Sequence, residues 1–138
     1  MLNIKKRLTE LNKIYNKIPK MECVPGCSDC CGPVNFQQIE KVNLNRFLKT
    51  NGINKKKLLS LDKVISMIKS DSSDEKFMCP YRKDNRCEIY PVRPIVCRLF
   101  GIVKHDTGLA NLQCLHSDAK TYLTEEQSYK LMEEVKRL

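Results

Sequence analysis

The sequence predicts a small, mainly helical domain of the α+β class, with several helices and a short β-hairpin gathered around a cluster of cysteines. Three observations predict it. Apolar residues recur at helical spacing near both ends of the 138-residue chain, the residues around Asp84 and Asn85 have the turn chemistry of a hairpin, and eight cysteines accompany only four Phe, five Tyr and no Trp. At this length one domain over residues 1–138 is expected. With 30% of its residues charged and a mean hydropathy of −0.44, its apolar core is modest, so staples other than hydrophobic burial are expected.

Ile4, Leu8, Leu11, Tyr15 and Ile18 recur at spacings of four, three, four and three, the stripe of an amphipathic helix that Pro19 stops. Residues 19–33 carry Pro19, Pro25, Gly26, Gly32 and Pro33 among four cysteines, a turn-rich composition with no apolar content to fold it unaided. A second helix is expected from Asn35 or Phe36 to about Thr50, with Ile39, Val42 or Asn43, Arg46 and Phe47 in register and Asn51-Gly52 as its stop. A third follows, capped by Asn54, lined by Leu58, Leu61, Ile65 and Ile68, and ended by the polar run Ser70 to Glu75. The second and third would pair as an antiparallel hairpin.

Short extended runs flank Asp84 and Asn85 between Phe77 and Tyr90, which reads as a β-hairpin. Cys79 and Cys87 are symmetric about Lys83, so a hairpin centred there sets them opposite each other, with Cα atoms roughly 4.5 to 5.5 Å apart. A helical turn after Pro91 and Pro94 carries Cys97 and Arg98, Phe100 to Lys104 reads as another strand, and Cys114 follows the turn at Gly108. The last helix opens on the capping box Thr124-Glu125-Glu126-Gln127, with Tyr129, Met132, Val135 or Lys136, and Leu138 on its apolar side. No internal repeat is present.

What the cysteines do depends on the compartment. The N-terminal residues M-L-N-I-K-K-R-L-T-E contain neither an apolar signal core nor a small-residue cleavage site, and no apolar run approaches the length that spans a bilayer. A cytoplasmic protein with no membrane partner is expected. In a reducing cytosol, clustered cysteines are favoured as metal ligands over disulfides and catalytic thiols. Once eight thiolates and two zinc ions or two [4Fe-4S] cores are counted, the formal charge of +9 falls to about +5. The lysine clusters at Lys5-Lys6 and Lys55-Lys56-Lys57 then read as solvated faces rather than a nucleic-acid surface.

The stretch C-V-P-G-C-S-D-C-C places Cys23, Cys27, Cys30 and Cys31 within nine residues, the turn-rich setting in which thiolates close around a zinc or iron–sulfur centre. The Cys23-x3-Cys27-x2-Cys30 spacing is that of radical-SAM enzymes, whose barrel of roughly 200 residues or more this chain cannot build. Adjacent Cys30 and Cys31 leave the backbone in different directions, so they either serve two centres or leave one thiol outside a centre. Cys79, Cys87, Cys97 and Cys114 are separated by 8, 10 and 17 positions and must be gathered by the fold, so the metal is expected to staple the N-terminal loop to the C-terminal half. His116 is read as incidental rather than as a ligand.

The stretch C-V-P-G-C-S-D-C-C, followed by C-P-Y-R-K-D-N-R-C-E-I-Y-P-V-R-P-I-V-C-R-L-F-G, resembles the CxxCxxCC cysteine-cluster family of zinc- or iron-chelating domains, a group that includes flagellin lysine N-methylases. By that resemblance Cys23, Cys27, Cys30, Cys31, Cys79, Cys87 and Cys97 align with the family's cysteines, and Arg93, Pro94 and Arg98 with its R-P-x-x-C-R element. Cys114 falls beyond the resembling residues 23–101. Arg93 and Arg98 flank Cys97 and are candidates to donate to cluster sulfurs or to hold an anionic group, with charge compensation or a pairing acid as the plainer role. Tyr90 is read as a packing residue. The flagellin methylases are much longer, and no glycine-rich nucleotide fingerprint is present. Two readings follow: a cysteine-ligated zinc or iron–sulfur protein serving another protein, or an enzyme, or enzyme subunit, acting in protein modification such as lysine methylation through an open coordination position. Iron and zinc both accept four thiolates, so the metal and the number of centres stay open.

Overall fold

The computed structural model describes residues 3–20, 35–58, 79–84, 86–104 and 123–138. Its elements are α1 (Ile4–Asn16), α2 (Gln38–Asn51), a hairpin of β1 (Arg82–Lys83) and β2 (Arg86–Cys87), a 3-10 turn (Tyr90–Val92), α3 (Ile95–Leu99), a parallel pair of β3 (Val103–Lys104) and β4 (Leu123–Thr124), and α4 (Glu125–Lys136). The class is α+β, as the sequence predicts. None of the described helices is long and apolar enough to cross a membrane.

Helix α1 starts where the Asn3 side chain accepts the Lys5 N–H at 2.9 Å. Leu11, Ile14 and Tyr15 are buried, whereas Ile4, the first residue of the predicted stripe, is 48% exposed. The helix ends at Asn16, earlier than Pro19. Its last turn tightens, with Lys17 and Ile18 N–H donating to the Ile14 and Tyr15 carbonyls, and Pro19 disfavours a helical Ile18 before it. Ile18 still reaches the core from just past the helix.

Helix α2 begins at Gln38, later than Asn35 or Phe36, because the Gln37 N–H is taken by the Glu40 carboxylate at 3.0 Å. It stops as expected at Gly52, which adopts φ +64°, its N–H and that of Ile53 closing on the Leu48 carbonyl. The buried positions are Ile39, Glu40, Leu44 and Leu48, and of the predicted face Val42 and Phe47 are half-buried and pack against the clusters while Arg46 is exposed. Residues 53–58 form no regular element, so no helix begins at Asn54. The rest of the predicted third helix, and its pairing with α2, lie outside the described residues.

The hairpin forms in a different register from the predicted one. Arg82 faces Cys87 and Lys83 faces Arg86, so Cys79 and Cys87 are not cross-strand partners. The turn residues decide this: Asp84 takes φ +50°, the left-handed conformation Asp tolerates in a two-residue loop, and that fixes the loop between Lys83 and Arg86. The helical turn after Pro94 is present as α3, but only Val103–Lys104 of the strand predicted from Phe100 is extended. Phe100 to Ile102 turn, with Gly101 at φ +83°.

Helix α4 carries the predicted capping box in full. Thr124 Oγ1 accepts the Gln127 N–H at 3.1 Å and Gln127 Oε1 accepts the Thr124 N–H at 2.9 Å. Its buried positions are Ser128, Leu131 and Val135; Tyr129, expected inside, is 62% exposed, and Lys136 is exposed. Helix α4 packs on α1, α2 and α3.

Among the described residues two apolar clusters result. The first joins residues of α1, α3, β3 and α4 with Ile39 of α2; the second joins Phe36, Leu44 and Leu48 with Tyr81, Ile89 and Val92 from the hairpin side. Helix α2 therefore contributes to both, and the segments carrying Cys79, Cys87 and Cys97 meet the two clusters from the same stretch of chain.

Candidate metal centre

Three predicted ligands, Cys79, Cys87 and Cys97, fall within the described residues, and each is half-buried. Cys79 opens a turn closed by the Arg82 N–H donating to its carbonyl at 3.0 Å. Two residues on, Tyr81 is fully buried, and its hydroxyl accepts the Lys56 N–H at 2.9 Å and donates to the Lys56 carbonyl at 3.2 Å. Cys87 lies on β2, and both Cys79 and Cys87 pack against the second cluster. Cys97 sits in α3, its N–H donating to the Pro94 carbonyl at 3.0 Å, with Ile95 and Leu99 on either side of it in the first cluster. Among the described residues no three His, Cys, Asp or Glu side chains gather as a metal site. Cys23, Cys27, Cys30, Cys31 and Cys114 lie outside the described residues, as does His116.

The segment bearing Cys97 is held by a buried carboxylate that sequence reasoning missed. Glu40 is fully buried. Its Oε1 accepts the Tyr15 hydroxyl at 2.7 Å and the Ile95 N–H at 2.6 Å, and its Oε2 accepts the Gln37 N–H at 3.0 Å. One side chain of α2 thus fastens α1 to the first residue of α3. Burial pushes the Glu40 pKa above its ordinary value, against the pull of its three hydrogen-bond donors and of Arg98. Burial, with the adjacent Glu40, also drives the Tyr15 phenol far above its usual range, so Tyr15 stays a hydroxyl donor. The one sequence signal for Glu40 was its place three residues after Gln37, a capping-box spacing headed by an atypical cap residue.

Arg98 extends this network. Its Nε donates to the Arg93 carbonyl and one Nη to the Pro91 carbonyl, both at 2.8 Å, while the guanidinium lies 3.8 Å from the centre of the Tyr15 ring. Arg93 behaves alike: its Nε donates to the Tyr90 carbonyl at 3.0 Å and its guanidinium lies 3.7 Å from the centre of the Tyr90 ring. Burial lowers the Arg98 pKa, opposed by Tyr15 and reinforced by Arg93, although a guanidinium stays cationic in any protein. Arg98 therefore braces the loop 90–94 that precedes Cys97. Tyr90 packs beneath a cation, in keeping with its expected role.

The donor set fits a soft metal. Thiolates are the ligands that zinc and iron–sulfur centres share, and cysteines on tight turns and one short helix provide the backbone setting both use. Fold and donors together define a class, the small cysteine-rich α+β domains disposed to chelate metal. Residues 22–129 match the CxxCxxCC family, described as a "putative zinc- or iron-chelating domain". That match spans more than half of the chain, and the protein belongs to this family, whose cofactor is zinc or iron. No curated protein and no solved structure matches the chain.

Proposed function

We propose that the protein is a cytoplasmic chelator in which Cys79, Cys87 and Cys97, with Cys23, Cys27, Cys30, Cys31 and Cys114, hold one or two zinc or iron–sulfur centres on behalf of another protein. The observation that carries this reading is the setting of the three described cysteines: half-buried, on segments whose backbones are pinned by Tyr81 and Glu40 before any metal is counted. Backbone segments held in this way lower the ordering cost of ligation. The bound metal would supply a cross-link between the N-terminal loop and the C-terminal half, and folding energy with it. Metal quantification and a visible spectrum on protein prepared without oxygen test the reading. Stoichiometric zinc in a colourless protein indicates zinc, and brown protein absorbing near 400 nm indicates iron–sulfur. Metal-free protein with intramolecular disulfides refutes it.

A second reading rests on the resemblance to the longer flagellin methylases: an enzyme, or enzyme subunit, in which a centre with an open coordination position acts in modification of a protein such as lysine methylation. Spectra that are unchanged by candidate substrates, with every position filled by cysteine, would remove it.

A further inference from the structure

A cleft of about 480 Å³ opens between the C-terminal end of α1 and the loop 90–93, and the residues lining it include Asn12, Tyr15, Lys20, Tyr90, Arg93 and Arg98. Three cations face it, and none of the described residues lining it is acidic. The carboxylate closest in the hydrogen-bond network, Glu40, is fully buried behind Tyr15, with both oxygens occupied by Tyr15, Ile95 and Gln37. Each guanidinium is fixed by its Nε on a backbone carbonyl and by a tyrosine ring beneath it. Among the described residues no acceptor meets the Nη groups of Arg93. A concave site with low-dielectric walls and one sign of charge concentrates potential, and a rigid guanidinium edge matches the oxygens of a carboxylate or phosphate. The volume lies within the range of small-ligand pockets.

We infer that this cleft is an oxyanion-binding site that takes a small ligand through its carboxylate or phosphate group, gripped by Lys20, Arg93 and Arg98, the last of which follows Cys97 in the chain. Its geometry does not depend on which metal the cysteines hold, so it stands or falls separately from the chelator reading.

Titration calorimetry of the full chain, purified with its own metal, is done with inorganic phosphate and with succinate as probes, and with neutral succinamide as control. Saturable binding of either anion, absent for succinamide and weakened about ten- to a hundredfold in Arg93→Gln, is the expected result, the loss being that of one charge-assisted hydrogen bond. Preference for phosphate assigns a phosphoryl ligand, and preference for succinate a carboxylate. Arg93→Lys, which keeps the charge, should recover part of the affinity. No saturable binding, or binding indifferent to Arg93→Gln, overturns the inference. So does a variant whose metal content or visible spectrum changes while anion binding is absent in the parent, because the cations then serve the thiolate centre. Metal content is measured on every sample, so loss of the chelator reading is scored apart from loss of anion binding.

Discussion

At Glu40 two effects oppose each other: three hydrogen-bond donors favour the carboxylate, while burial favours the neutral acid, and burial wins. A carboxyl whose folded pKa is raised binds more protons folded than unfolded between the two pKa values. Stability therefore falls as pH rises through the window from 4.5 up to the raised value, and is level above it. Glu40→Gln removes the titration, so the difference in unfolding free energy between parent and Glu40→Gln should shrink across that window. Urea unfolding at stepped pH measures it, and a difference that is flat with pH would contradict the assignment. Glu40→Ala strands the Tyr15 hydroxyl and the Ile95 N–H, and about 3 kcal/mol of destabilisation is expected. Arg98→Lys loses the two-carbonyl clip on residues 91 and 93 and the flat stack on Tyr15. It should cost about 1–2 kcal/mol in the same assay.

Among the elements, the caps were the most legible in the sequence, because capping is local chemistry between residues three apart. The Thr124 to Gln127 box and the Gly52 stop stand where they were read. Thr124→Ala should cost about 1 kcal/mol through the lost Gln127 N–H acceptor. Gly52→Ala meets nothing within 4 Å, so its cost is purely the left-handed backbone, about 1 kcal/mol; both are read from urea midpoints. Faces were less legible. Tyr129 and Leu131 are two apart on α4, and only the tertiary packing against α1 and α3 decides which turns inward. The hairpin register was misread for a different reason: the symmetry of Cys79 and Cys87 about Lys83 carries no energy, whereas the Asp84 conformation does. Glu40 was illegible because a buried acid looks like any exposed helix acid until its donors from α1 and α3 are in place.

Among the described residues the two clusters are unequal, with eleven buried residues in the first and six in the second, and that inequality bears on where metal matters most. The first cluster is closed by three helices. Its edges are further tied by the Arg7 side chain donating to the Leu138 carbonyl and by Lys17 with Glu134 at 3.4 Å, although the latter exposed pair contributes little. Among the described residues the second is built on α2, the two-residue strands and the 3-10 turn, and it is the one against which Cys79 and Cys87 pack. A two-stranded hairpin is marginal in water without further support, so the segment 79–92 depends on ligation more than α1 or α4 does. Removing metal with a chelator under reducing conditions should therefore leave α1 and α4 comparatively protected in amide hydrogen exchange, while the Arg82, Glu88 and Val92 amides, which donate to the Cys79, Tyr81 and Ile89 carbonyls, lose protection first. Restoring zinc or iron should restore that protection in step with metal uptake. Loss that is uniform across both clusters would mean that one cooperative unit spans them. Exchange at Arg82 and Glu88 that is unchanged by chelation would mean that the Tyr81–Lys56 clamp alone holds the hairpin, and that Cys79 and Cys87 contribute nothing to its stability through metal.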